Sequence, residues 1–339
     1  MAKPPKSTLT IQDVARAAGV SVSTVSRVLN DKDDVAIETY EKVQRVIDEL
    51  GYASSLAAKS MRSYKTDTIG LLVDSLKNSY MIEIMKGVDR AIEDFGYELI
   101  IHTTGKFIKN LDIAWERQHV AQLNGSLTDG IIVVTPTTTN LPSAFPLVMI
   151  DPHVQGDNFP SVISTNRDGA LSVMEYLISL GHRRIGFIGG RPDLQSAIRR
   201  QQGYEDGLRQ ANIPLDPDLI QPGDYMRKTA YHCAKKLLNL PSPPTAIFAA
   251  NDQSAIGVME MAAEAGVRIP EDLSLVGFDN IPETAFTQPP LTTVNQFIEE
   301  LGYTATKILV DLIQGKSLET NLYKVSTELV IRNSCRAVA

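Results

Sequence analysis

The chain has 339 residues, 43% hydrophobic and 22% charged, with a net charge of −7. That length allows two or three domains with substantial cores, and the composition is ordinary for a soluble globular protein. The acidic balance argues against nucleic-acid binding by the whole surface, but residues 1–66 carry ten Lys or Arg against eight Asp or Glu, net +2, which leaves −9 to the remainder. Any contact with nucleic acid is then local and strongly salt-dependent. The N-terminus MAKPPKSTLT holds no apolar stretch of signal-peptide length, and no window approaches the roughly 18 apolar residues of a membrane helix. Cys233 and Cys335 stand far apart, and no Cys/His spacing fits a metal site. The expectation is a cytoplasmic protein with two reduced thiols, no metal and no cofactor.

The most informative stretch comes first. Residues 10–30, TIQDVARAAGVSVSTVSRVLN, read as a helix, a tight turn at Gly19 and a second helix. Thr10 is placed to cap the first helix with Asp13 reaching back to it. Ile11, Val14, Ala15 and Ala18 recur at helical spacing. Gly19 supplies the backbone freedom that a sharp turn needs, Val20 plugs the angle, and Ser21 is placed to cap the second helix. Val25, Val28 and Leu29 then face inward and Val22, Ser23, Thr24, Ser26 and Arg27 face out. Small, hydroxylic and basic residues on one short helix suit the DNA major groove, where hydroxyls bind phosphate or base edges and Arg27 can reach guanine. A third helix is predicted from Glu38 to Leu50, with Val43, Val46, Ile47 and Leu50 as its apolar stripe and Gly51 as its end. Residues 1–50 thus form an all-α headpiece. Residues 51–66 contain a short Ala-rich piece, Ser55 to Arg62, too short to be a stable helix alone. It reads as a hinge that becomes helical when bound.

From Ile69 onward apolar runs alternate with amphipathic helices. Strands are predicted at 69–73, 97–102, 130–134, 147–150, 185–189, 246–250 and 273–278, and helices at 81–95, 113–123, 169–180, 198–211, 229–240 and 253–265. This alternation implies parallel sheets covered on both faces, and their number implies two lobes within 67–339. Ligands of such sheets sit beyond the carboxyl ends of strands. Asp74, Ser75, Asp151, Asn251, Asp252 and Asp279 all fall there, which makes a cleft more plausible than a set of helix caps alone.

The segment VSVSTVSRVLN resembles the recognition segment of the LacI–GalR family of bacterial repressors. The resemblance continues through EKVQRVIDELGY (41–52), SSLAAKSMRS (54–63), LGHRRIGFIGG (180–190), RQQGYEDGL (200–208), FAANDQSAIGVM (248–259), LSLVGFDN (273–280) and PPLTTVNQ (289–296). It implies a helix-turn-helix headpiece, a hinge helix, and an α/β core of two parallel-sheet lobes similar to periplasmic sugar-binding proteins. By the same resemblance Val22 and Ser23 sit where members vary with their operators. Thr24, Ser26, Arg27 and Asn30 sit where the family contacts phosphates and a base pair, and Ala58 and Met61 sit where the hinge enters the minor groove. Most members carry leucine where this chain has Met61, a more flexible wedge. Arg200, Asn251 and Asp279 match residues that hold sugar hydroxyls. Tyr80 and Tyr225 match aromatic positions of the pocket, Gln296 lies at a crossing strand near its rim, and Asp74 stands in the unusual segment DSLKNSYM (74–81). The implied partners are pseudo-palindromic double-stranded operator DNA, a small polar effector whose family default is a sugar, although some members bind nucleobases, and a second copy of the chain. The chain ends soon after TELVIRNS (327–334) with no leucine-heptad tail, so a dimer is expected.

Two other functions compete. An enzyme would need a partner at motif spacing for His102, His119, His153, His182 or His232, and no G-x-S-x-G elbow, P-loop or zinc motif is present. A transport binding protein would explain two lobes but not residues 1–66, and would need a signal peptide.

Overall fold

The computed structural model describes residues 9–29, 35–50, 65–103, 113–123, 127–138, 140–153 and 158–338. The chain forms two compact units, Met1–Thr66 and Asp67–Ala339. In the first, α1 (Ile11–Ala18), α2 (Val22–Leu29) and α3 (Ile37–Leu50) bury one small core of Val14, Ala15, Ala18, Val25, Val28 and Val43. Its corner forms as the local chemistry dictates. The Thr10 N–H and hydroxyl donate to the Asp13 carboxylate at 2.9 and 2.7 Å. Gly19 takes φ 66° and returns its N–H to the α1 carbonyls, a conformation in which a Cβ would be strained. The Ser21 hydroxyl accepts from the Thr24 N–H at 3.1 Å. Gly51 and the hinge piece from Ser55 to Arg62 lie outside the described residues.

In the second unit β1 (Thr68–Val73), α4 (Ser79–Phe95), β2 (Glu98–Thr103), α5 (Ile113–Leu123), β3 (Gly130–Val134), β4 (Leu147–Ile150) and β5 (Ser161–Ser164) build the first lobe. The chain then crosses to a second lobe of α6 (Asn166–Ser179), β6 (Ile185–Ile188), α7 (Gln195–Gln210), β7 (Ile220–Gln221), α8 (Arg227–Leu238), β8 (Ala246–Ala249), α9 (Asp252–Ala265), β9 (Ser274–Val276) and β10 (Thr293–Asn295). It returns with α10 (Ile298–Ile313) and β11 (Leu322–Val325), and crosses again into β12 (Glu328–Val330). The first sheet has the order β11-β5-β4-β3-β1-β2, the second β7-β6-β8-β9, and every pairing within them is parallel. Among the described strands only β10 and β12 pair antiparallel. The inner strands β1, β3, β4, β6 and β8 are buried along their whole length, which is why they read as unbroken apolar runs.

Each lobe has its own core on both faces of its sheet: Ile69, Leu71, Ile132 and Val148 on one face and Leu72, Ile131, Val133 and Leu147 on the other in the first, Phe187, Phe248 and Val276 on one face and Ile188, Ile247 and Leu275 on the other in the second. Helices α4 and α10 meet backbone to backbone: a Cβ on Gly87 would collide with the Glu299 carbonyl and one on Gly302 with that of Ile84. His182 bridges the Thr245 and Ser274 side chains at 2.9 and 3.0 Å, a structural tie in the second lobe. Among the described residues no helix is long and apolar enough to cross a membrane.

The three crossings are tied to one another. The Ser164 hydroxyl donates to Gln296 Oε1 at 3.0 Å, and the Thr327 N–H donates to the Thr165 hydroxyl at 3.0 Å. The sequence-based set of elements omits β5, β7, β10, β11 and β12, whose two to four residues are too few to display a period. It also omits α10, although Leu301, Ala305, Ile308 and Leu309 recur at helical spacing. Helices α6 and α7 begin three residues earlier than expected, because their polar first turns carry no apolar signal.

Candidate functional site

Helix α2 presents one surface of distinct character. Val25 and Val28 are buried, whereas Val22, Ser23 and Arg27 are exposed and Thr24 and Ser26 half-buried. The Ser21 hydroxyl lies 2.7 Å from that of Ser23 and 2.8 Å from that of Thr24, so three hydroxyls gather at the helix N-terminus, where backbone N–H groups favour an anion such as phosphate. Asn30, Ala58 and Met61 lie outside the described residues.

A second site lies between the lobes at the carboxyl ends of their strands. Its centre is Arg200 on α7, only 4% exposed. Nε donates to Asn166 Oδ1 at 2.8 Å, Nη1 to the Ala250 carbonyl at 2.6 Å and to Asp279 Oδ1 at 3.1 Å, and Nη2 to Gln296 Oε1 at 3.3 Å. The guanidinium also stacks on Phe278, its carbon 3.8 Å from the ring centroid. Four of its five N–H groups are therefore held by the protein, and the two bonds to Asn166 and Gln296 fasten it to two of the three crossings. Gln296 in turn donates to Asp279 Oδ1 at 2.7 Å. Asp279 Oδ1 thus accepts twice, while Oδ2 accepts from none of the described residues.

Around this network stand Tyr80 and Asp151 from the first lobe and Tyr225 and Ser196 from the second. Tyr80 feels Asp151, Asp279, Arg200 and Tyr225 electrostatically, and burial followed by the two carboxylates pushes its phenol well above the usual range. Ser196 lies beside both the Asp151 carboxylate and the Tyr225 hydroxyl. Burial raises the Asp151 carboxyl, and it pushes Asp279 up to about 6 against the pull of Arg200 and Gln296. Asp151, Tyr225 and Asp279 adopt φ of 46°, 70° and 118°, conformations that persist for non-glycine residues only where surroundings over-determine them. Gly190 makes room for Tyr225, since a Cβ there would meet its ring.

The structure sorts the residues expected from the sequence. Arg200, Asp279, Tyr80 and Tyr225 converge. Gln296 is buried and its amide is engaged at both ends within the network. Asn251 caps α9, accepting from the Ser254 N–H at 2.9 Å, and its Nδ2 donates to the Tyr225 carbonyl at 3.3 Å, so it holds Tyr225 in place. Asp74 belongs to a different group. It faces Arg191, which grips Asp193 at 2.6 and 3.2 Å, and Asp193 in turn lies 3.4 Å from His153. That group also spans the lobes, because His153 follows β4 and Asp193 follows β6. Asn166, Ser196, Phe278, Arg191 and Asp193 are not singled out by the sequence, and His153 only as one of five histidines without a motif partner. Asp151 is, as a polar residue at a strand end.

Two family models match the chain: "Bacterial regulatory proteins, lacI family" over residues 10–55 and "Periplasmic binding protein-like domain" over 174–335. The HTH-type transcriptional repressor PurR of Vibrio atlanticus (strain LGP32) is 34% identical, over 97% of this chain and 99% of its own. The Lac repressor dimer bound to operator and the anti-inducer ONPF superposes with a TM-score of 0.83 at 27% identity, over 97% of this chain and 99% of that one. A transcriptional regulator CelR–cellobiose complex gives 0.72 at 29% identity, over 96% and 99%. A whole-length relative at this identity leaves no room for the enzyme reading, and the headpiece none for a transport protein. The chain belongs to the lacI family of bacterial regulatory proteins and is a DNA-binding transcriptional repressor.

Proposed function

We propose that the repressor binds a pseudo-palindromic operator as a homodimer, through α2 and a hinge, and that a small polar effector seated between the lobes sets its affinity for DNA. The observation that carries this reading is the convergence of Tyr80 and Asp151 from one lobe with Arg200, Tyr225 and Asp279 from the other. A ligand touching both sides couples its own binding to the lobe arrangement, and that coupling is reciprocal with operator binding. Asp279 Oδ2 and the Asp151 carboxylate accept from the effector, the remaining Nη2 hydrogen of Arg200 donates to it, and Asn251 and Gln296 position these groups. Val22 and Ser23 vary with the operator, while Thr24, Ser26, Arg27 and Asn30 make the remaining headpiece contacts and Ala58 and Met61 those of the hinge. A sugar or sugar derivative is the first candidate, since hydroxyls suit directional acceptors. A nucleobase is the second, favoured by one tyrosine ring from each lobe.

The test begins with a thermal-shift screen of sugars, sugar acids and purines, because a ligand of the folded state raises stability by mass action. Operator binding is then titrated with the ligand found, for the wild type and Asp279→Ala. The variant is expected to lose about 1–3 kcal/mol of effector affinity while its effector-free operator affinity persists. An unchanged effector midpoint places the ligand elsewhere.

The headpiece has its own test. Arg27→Ala is expected to cost about 1–3 kcal/mol of operator affinity and to relax the preference at one base pair per half-site. Equal binding by wild type and variant at matched salt, across a set of single-base operator substitutions, would show that Arg27 docks elsewhere.

A further inference from the structure

We propose that the pocket selects effectors by charge, taking neutral, donor-rich or cationic molecules and rejecting anionic ones, through two carboxylates on opposite lobes that share a single guanidinium. The inference rests on the reading that the effector sits between the lobes.

Asp151 belongs to the first lobe and Asp279 to the second; Asp279 pairs with Arg200 at 3.1 Å and feels Asp151, and both carboxylates act on Arg200. A third carboxylate, the fully buried Asp252, also feels Asp279 and Arg200. Its oxygens already accept from the Thr293 hydroxyl at 2.5 Å and the Ile281 N–H at 2.9 Å, so it adds negative potential without offering a free acceptor. Arg200 is the one cation of this group and has little left to give. Four of its N–H groups are bound within the protein, one of them to Asp279 itself. The open positions are acceptors: Asp279 Oδ2, and the Asp151 carboxylate, whose two oxygens exceed what the Ser196 hydroxyl beside it can satisfy. The Tyr225 hydroxyl is buried and has no partner of hydrogen-bond geometry among the described residues.

A site with surplus acceptors and a net negative charge leaves buried groups unpaired unless the ligand brings donors. It repels an added phosphate or carboxylate at a depth where water screens poorly. Asp279 feels the Asp151 charge across the lobes, and a donor or cation placed between the two carboxylates offsets that repulsion. Burial raises both carboxyl groups, as expected for charges that the fold tolerates for a ligand's sake. The positive φ at both aspartates is a second sign that the backbone is held in an unfavourable form to aim these groups.

The experiment uses the full-length protein and has two arms. In the first, the effector-free Asp151→Asn variant is melted beside the wild type. Removing one of the opposed charges at constant shape is expected to raise Tm by about 2–4 °C. A Tm that is unchanged or lower means that the carboxylates do not oppose each other, and overturns the proposal. In the second, wild type and variant are titrated calorimetrically with matched sets: glucose, glucosamine, glucuronate and glucose 6-phosphate, then hypoxanthine and urate. Where a neutral or cationic member binds, its anionic counterpart is expected to bind roughly tenfold or more weakly, and Asp151→Asn is expected to shrink that gap. An anionic member that binds as tightly as its neutral counterpart overturns the charge selection and leaves the effector pocket standing. Silence from every compound with a stabilised Asp151→Asn counts against the effector classes named above, while the opposed carboxylates are supported.

Discussion

Replacing Arg200 by alanine is expected to cost about 3–5 kcal/mol of stability, because it removes one partner of a buried ion pair and leaves the other without a counter-charge. The residue is 4% exposed and Asp279 6%, so water does not take over the lost partner's role. The variant also frees the Ala250 carbonyl, Asn166 Oδ1 and Gln296 Oε1 from their donor and uncovers the face of Phe278. Urea denaturation of wild type and variant measures the loss, and a difference below about 1 kcal/mol would mean that the network is ornamental to the fold. Arg200→Lys keeps the charge but not the planar fork that reaches four acceptors, so it should recover only part of the stability. The double variant Arg200→Ala/Asp279→Asn should be more stable than the sum of the single changes, since the stranded charge is gone. On the reading that the effector sits between the lobes, effector response should vanish in all three, because Arg200 is fastened to two of the lobe crossings through Asn166 and Gln296.

The second large effect is on the pH dependence of stability. His153 is 5% exposed, and burial, helped by the nearby Arg191 against the opposing pull of Asp193, lowers its imidazole from 6.5 to about 4. The folded state therefore holds this ring neutral where the unfolded chain protonates it. Its contribution is fully present above pH 6.5 and is lost as pH falls through 4, a change of about 3 kcal/mol across that window. Asp279 acts with the opposite sign. Its carboxyl is pushed up to about 6 by burial, so its contribution is present below the unfolded carboxylate range and is lost as pH rises through 6. Denaturant unfolding followed by circular dichroism from pH 4 to 7.5 separates the two. The stability of His153→Gln relative to wild type should climb on acidification by about 3 kcal/mol, and that of Asp279→Asn should fall. Curves that run parallel to wild type throughout would mean that neither group changes its protonation on folding.

Much of the molecule is written locally. The first fifty residues announce their helices because capping, turn and packing there involve neighbours in the chain: Thr10 with Asp13, Gly19 at the corner, Ser21 with the Thr24 N–H. The inner strands are legible because burial on both faces demands an unbroken apolar run, and Asp151 and Asp279 stand out because polar residues directly follow such runs. The short edge and crossing strands are not legible, since two to four residues show no period and their pairing is fixed by distant segments, β11 against β5 and β12 against β10. The same reason divides the pocket. Which polar group faces a ligand and which serves the fold depends on partners far away in sequence. Asn251 reads as a ligand residue, and only the structure shows that its amide also engages the Ser254 N–H and the Tyr225 carbonyl. Asp74 reads as part of the pocket from its place at a strand end, and that it feels Arg191, beside the His153 group, is visible only in the structure. Burial of one guanidinium among carboxylates from two lobes arises only when the chain has crossed between them three times, so the amino-acid sequence alone determined the family, the headpiece helices and the inner strands, while the tertiary structure decided which polar residues meet around Arg200 and how they pair.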